Sequence, residues 1–195
     1  MAARSALAAL LSIGLALTDA AGRSDDPPAQ QVDLAPAGWP IGELALVDQI
    51  GRPVTQQALQ GQWTFLLVTS DGCSEPCAAA LAALAGLYRR IARAAVRHTT
   101  QVIVVSLDGR HAPADLYGRV VTYDPRFRVA GGSAAAVAGL ARDLGVADFP
   151  VASPEVSESG AMWLIDSDGV IRARLLPPYD VPRLTATYLR TRALR

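Results

Sequence analysis

Two residues of this chain, Cys73 and Cys77, have the type and spacing for sulfur chemistry, and they are the only cysteines among 195 residues. They stand in Gly72-Cys73-Ser74-Glu75-Pro76-Cys77, where a helical pattern begins. Residues four apart on a helix share a face, so both sulfurs can converge. A converged pair has two uses. It can exchange with a partner disulfide, one thiol attacking and the other resolving the mixed disulfide. As thiolates it can also hold a soft ion such as Cu(I). The helix start favours the thiolate, because the first N–H groups are unpaired and carry partial positive charge. Glu75 opposes that effect wherever it points at the sulfurs. Cys73 precedes the helix and is expected to attack. Cys77 falls on the apolar face and is expected to resolve. A bond between them would close so small a loop that it constrains little of the unfolded chain. The pair therefore reads as chemistry rather than as a staple. The plain alternative is two buried cysteines acting as small hydrophobes. A turn between a buried strand and a helix weakens it.

The surrounding pattern says what positions the pair. Trp63 to Val68 is aromatic, β-branched and nearly all apolar, a strand buried on both faces. After the cysteine turn, Cys77, Leu81, Leu84, Tyr88, Ile91 and Ala95 step by four and three along a long helix. Pro76 suits its first turn, and arginines suit its far end. Gln101 to Leu107 reads as a second buried strand. Phe127 to Ala130 is a short extended candidate. Ser133 caps a helix that runs to Leu144 and stops at Gly145. Ala161–Ile165 and Val170–Leu175 flank Asp168-Gly169 as a hairpin. Val181 to Arg195 is a final amphipathic helix. Leu44 to Val47 and the turn at Gly51-Arg52-Pro53 suggest an earlier hairpin. The order fits an α/β fold of thioredoxin-like type: a central mixed β-sheet flanked by helices, with an N-terminal β-hairpin extension.

Residues 1–20 read as a signal peptide or an N-terminal anchor. Arg4 precedes the apolar run Ser5–Leu17, which is shorter than the roughly 20 residues of a bilayer span. Thr18-Asp19-Ala20 offers a cleavage site. No cysteine follows the run, which speaks against lipid attachment. Residues 21–40, polar and rich in proline, read as a linker, and 41–195 as the compact domain. Export would place the pair in an oxidising compartment, periplasmic or outside the cell, where it either pairs or stays free. Membrane contact is expected only through an uncleaved N-terminal segment. Formal net charge is zero, which argues against nucleic acid as a partner.

Several stretches resemble the Sco/SenC family of cytochrome c oxidase assembly proteins. They are Leu46-Val47-Asp48-Gln49-Ile50-Gly51, Leu59 to Phe65, Cys73-Ser74-Glu75-Pro76-Cys77, Val104 to Asp108, and Leu164-Ile165-Asp166-Ser167-Asp168-Gly169. The likeness runs over roughly residues 41 to 190. It implies a thioredoxin fold, a protein partner in respiratory oxidase assembly or a periplasmic thiol reductant, and copper as a candidate ligand. In that family a histidine just before the late hairpin joins the two cysteines on copper. The matching residue here is Glu158, so the ligand set implied is Cys73, Cys77 and Glu158. A carboxylate is a harder ligand than imidazole and a poorer one for Cu(I). His98 and His111 read as surface residues, and Met162 as core. Pro150 and Pro154 are candidates for a cis proline near the cysteines.

Three functions are compatible with these residues. One is an exported assembly factor acting by dithiol–disulfide exchange and copper handling. Another is a metal-independent thiol–disulfide oxidoreductase. The third is a thioredoxin-fold binding module without catalysis.

Overall fold

The computed structural model describes residues 31–69, 72–107, 112–145 and 160–194. Among them lies one eight-stranded mixed sheet, ordered β1-β8-β7-β4-β5-β6-β2-β3. Its strands are β1 (Val32–Pro40), β2 (Leu46–Asp48), β3 (Pro53–Val54), β4 (Trp63–Thr69), β5 (Thr100–Ser106), β6 (Arg128–Gly132), β7 (Met162–Ile165) and β8 (Val170–Leu175). The helices are α1 (Glu75–Arg90), α2 (Pro113–Val120), α3 (Ala134–Asp143) and α4 (Val181–Ala193).

β4 is central and buried along its whole length. It pairs parallel with β5 and antiparallel with β7. Successive side chains point to opposite faces of a strand. Phe65 and Leu67 therefore meet one core, with Leu81, Leu84 and Tyr88 of α1, Leu116 and Val120 of α2, and Leu184 and Tyr188 of α4. Leu66 and Val68 meet the other, with Val137, Leu140 and Ala141 of α3. Fully burying a leucine contributes about 2 kcal/mol, so Leu81 and Leu84 strongly fix the register of α1 on the sheet.

The late hairpin is built on Asp166. Its carboxylate accepts the N–H groups of Asp168 (2.9 Å) and Val170 (3.1 Å) and an Arg172 N–H. Gly169 takes the left-handed φ of +81° that the turn requires. The β2–β3 hairpin repeats the device: Asp48 accepts from Ile50 and Arg52. Ser133 caps α3 as expected, its hydroxyl accepting from Ala136 N–H.

Three expectations need correction. The linker read over 21–40 includes β1, an edge strand paired antiparallel with β8 and irregular between Leu34 and Trp39. Proline suggests a loop, but edge strands tolerate it because one side of the ladder is unpaired. The helix read as far as Ala95 ends at Arg90. A 3-10 turn, Ala95–Thr99, follows, with Ala95 exposed and Arg97 stacked 4.3 Å over the Tyr88 ring. The turn reverses the chain into β5, which the four-and-three spacing alone does not show. Helix α2 lies where the sequence reading assigns no element, though Pro113 at its start and Leu116 and Val120 four apart are its signature.

Candidate functional site

The C-terminal end of β4 leads into the cysteine turn, and the turn leads into α1. Ser74 is the N-cap of α1, which places Cys73 one residue before the cap and Cys77 in the first turn beside Pro76. The two sulfurs are bonded to each other, with Cα atoms 5.1 Å apart. Of the two possibilities left open by the sequence, paired or free, the structure shows the pair.

The two cysteines differ in surroundings. Cys77 is 0% exposed and belongs to the core between α1 and the sheet. Cys73 is half-buried and packs on the margin of that core. Cys73 also has a φ of +74°, and it is the only non-glycine residue with positive φ among the described residues. That conformation costs an L-residue about 1–2 kcal/mol. Gly72 before it is left-handed too, with φ +80°. Two consecutive left-handed residues turn the chain back so that the Cys73 sulfur reaches Cys77 over the start of α1.

Two neighbours brace this turn. Arg119, exposed on α2, donates from Nη1 to the Gly72 carbonyl at 2.8 Å. Gly160, at the entry to β7, lies against Pro76. A Cβ built on it would stand 2.7 Å from the Pro76 carbonyl oxygen, and its own φ is +60°. Only glycine fits there. The Tyr179 hydroxyl lies 2.6 Å from the Gly160 carbonyl and 3.0 Å from that of Leu175. Burial pushes the Tyr179 phenol well above its ordinary range, so the group stays a protonated donor. By contrast, the Ser74 hydroxyl is buried without a hydrogen-bond partner and makes no cap bond.

The other residues singled out in the sequence fall elsewhere. His98 is exposed beyond the far end of α1, a sixteen-residue helix about 24 Å long, and cannot join the sulfurs. Met162 is fully buried, in register with Leu67 and Leu175. Glu158, His111, Pro150 and Pro154 lie outside the described residues; the described cis bond is Pro177–Pro178. No group of three or more His, Cys, Asp and Glu side chains that could hold a metal occurs among the described residues. Once opened, the pair itself offers two thiolates, a donor set suited to a soft monovalent ion.

Arg119, Gly160 and Tyr179 were not anticipated. A lone glycine before an apolar strand hints at close backbone approach, which is a readable signal for Gly160. Nothing in the sequence links Arg119 to a carbonyl 47 residues away.

The SCO1/SenC family model matches residues 39–191. A protein of Stutzerimonas stutzeri named "Putative copper-binding protein" is 27% identical over 156 residues, 77% of this chain and 76% of its own. The crystal structure of Arabidopsis thaliana ScoI with copper bound superposes with a TM-score of 0.65 at 19% identity, covering 79% of this chain and 98% of that one. BsSco, described as a member of the Sco family of cytochrome c oxidase assembly proteins with a disulfide switch, superposes at 0.63 and 16% identity, covering 85% and 100%. At such identities the structures establish the fold, which is thioredoxin-like.

Proposed function

The chain belongs to the SCO1/SenC family, and from that premise we propose that it is an exported factor of cytochrome c oxidase biogenesis, working by dithiol–disulfide exchange at Cys73 and Cys77 and by copper handling at the same sulfurs. The observation that carries the exchange reading is the asymmetry of the pair. A half-buried sulfur on a strained left-handed residue is bonded to a fully buried one in the first turn of a helix.

The exchange proceeds through the outer sulfur. A partner thiolate attacks Cys73 Sγ, the Cys73–Cys77 bond breaks, and Cys77 leaves as thiolate at the helix N-terminus. The partner's second thiol then attacks its own sulfur in the mixed disulfide and releases Cys73. Two electrons and two protons pass to this chain, and the partner leaves as a disulfide. Run backwards, Cys73 attacks and Cys77 resolves. Copper, when held, would sit on Cys73 and Cys77, with Glu158 as the third donor. Gly160 fixes the chain two residues after Glu158 against Pro76, which supports that assignment. The relatives' names and titles supply the copper and assembly context. The apolar run at residues 5–17 supports export to the periplasm or beyond.

Titration of the reduced domain with Cu(I) against a competing chelator tests the copper part. Stoichiometric binding, lost in Cys73→Ser, is expected; binding no tighter than in that variant ends the copper reading. Glu158→His should tighten Cu(I) binding, and an unchanged affinity removes residue 158 from the ligand set. Cycling the pair in glutathione buffers tests the exchange part, which fails if the pair cannot be cycled without unfolding. A metal-independent thiol–disulfide oxidoreductase is the second reading. It is favoured by the disulfide between the two sulfurs, and it is selected if the pair cycles but binds no Cu(I).

A further inference from the structure

Among the described residues, the turn that carries Cys73 has few side-chain contacts to hold it. Its two residues, Gly72 and Cys73, are both left-handed, and Cys73 is there at a conformational cost. The usual local brace would be the N-cap hydroxyl, but Ser74 Oγ bonds nothing. Among the described residues, one side-chain hydrogen bond reaches the turn: Arg119 Nη1 to the Gly72 carbonyl, the peptide that joins the two left-handed residues. The helix bearing Arg119 is itself anchored, since Leu116 and Val120 are buried in the core that holds Cys77. The guanidinium lies beside Gly72 itself: a Cβ there would stand in van der Waals contact with Arg119 Nη1, at 3.4 Å. Arg119 makes no ion pair among the described residues that would assign it another task.

We infer that Arg119 is a positioning residue for the cysteine pair: by pinning the Gly72–Cys73 peptide it holds Cys73 in the left-handed conformation in which its sulfur meets Cys77, and so favours the disulfide over the dithiol. The inference rests on the exchange reading above. When the bond opens, the constraint on Cys73 is released and the residue can relax to negative φ. The arginine hydrogen bond opposes that relaxation. Loss of the bond therefore shifts the balance toward the reduced pair. A purely electrostatic role has the opposite sign. A guanidinium that stabilises thiolates favours the reduced pair, so its removal would shift the balance toward the disulfide.

The test equilibrates the full chain with glutathione, in which the disulfide plus two glutathione thiols give the dithiol plus glutathione disulfide. Wild type, Arg119→Ala, Arg119→Gln and Arg119→Lys are compared by trapping free thiols. Arg119→Ala should favour the dithiol about fivefold, which is about 20 mV less negative at 29.6 mV per tenfold. Gln and Lys, which still donate a hydrogen bond, should restore much of the wild-type balance. No shift in Ala, or a shift toward the disulfide, overturns the inference. Should Arg119→Ala not fold, Arg119→Met, which keeps the length of the side chain and loses its donors, tests the same bond. The same direction of shift is expected, with no shift counting against the inference. A wild-type pair that does not cycle defeats the exchange reading itself. A pair that cycles identically in all variants defeats only the role of Arg119.

Discussion

Two turns at opposite ends of the sheet are held in contrasting ways. At one end, the β7–β8 turn at Asp166–Gly169 is held redundantly. The fully buried Asp166 carboxylate takes two backbone N–H groups and Arg172, while the Ser167 and Gly169 carbonyls accept from Gly61 and Ile41. At the other end, the cysteine turn has a left-handed cysteine, an unpartnered serine hydroxyl and one described side-chain hydrogen bond, from an exposed arginine. The first turn spends polar groups on rigidity. The second, among the described residues, gets its definition from neighbours and from the sulfur bond itself. A turn that has to open and close a covalent bond cannot be locked in the manner of the first.

Substitutions sharpen this contrast. The largest effect is expected for Asp166→Ala, which leaves buried donors and Arg172 without their partner. We expect a loss of about 4 kcal/mol in urea unfolding, and a loss under 1 kcal/mol would show that the turn is not held by its carboxylate. Gly160→Ala comes next. Its methyl group meets the Pro76 carbonyl at a left-handed φ, so a cost of about 2–3 kcal/mol is expected in the same measurement, together with a changed dithiol–disulfide balance.

The third effect is one of pH. Burial pushes the Asp166 carboxyl up, but the Arg172 side chain and the Val170 and Asp168 N–H groups outweigh it and hold the group below the usual carboxylate range. Asp48 is likewise held low, by the Arg52 and Ile50 N–H groups and Arg128 against the upward push of burial. A depressed folded pKa stabilises the protein above the unfolded value, about pH 4, and that stabilisation is lost as pH falls through the folded value. The domain should weaken below about pH 4, and Asp166→Asn, though weaker at pH 7, should show a shallower acid decline in thermal melts. An equal decline in both proteins would exclude Asp166 as a contributor. The smallest effect separates two serines. Ser133→Ala removes a working cap and should cost about 1 kcal/mol. Ser74→Ala removes a hydroxyl with no partner and should cost nothing or stabilise slightly, again by thermal melting.

Both turns could be located from the sequence, for different reasons. Asp168-Gly169 between two largely apolar runs announces a hairpin by its own chemistry. The cysteine turn was found from spacing and from the buried strand before it. Elements with a strong period, β4, α1 and α3, were readable because each buries a continuous face. Strand β1 was hidden by its proline and glycine content, and α2 by its two short turns. What the sequence could not convey was the bracing of the site. Arg119 and Tyr179 act through contacts between distant segments, and such contacts leave no local pattern, whereas Gly160 carries a faint one as a lone glycine before an apolar strand. Expecting Cys73 as the outer sulfur and Cys77 as the buried one needed only the helix face, and their burial agrees.

Cys77 is at once a core residue and half of the redox couple, packed in the cluster that includes Phe65, Leu67 and Tyr88. The free energy of folding and that of the sulfur bond are therefore linked through one side chain. Linkage is reciprocal: whatever stabilises the oxidised domain relative to the reduced one must also stabilise the bond by the same amount. The melting temperature of this domain is thus a readout of its oxidation state. A partner that grips the α1 face of the core more tightly in one oxidation state would shift the potential without touching either sulfur.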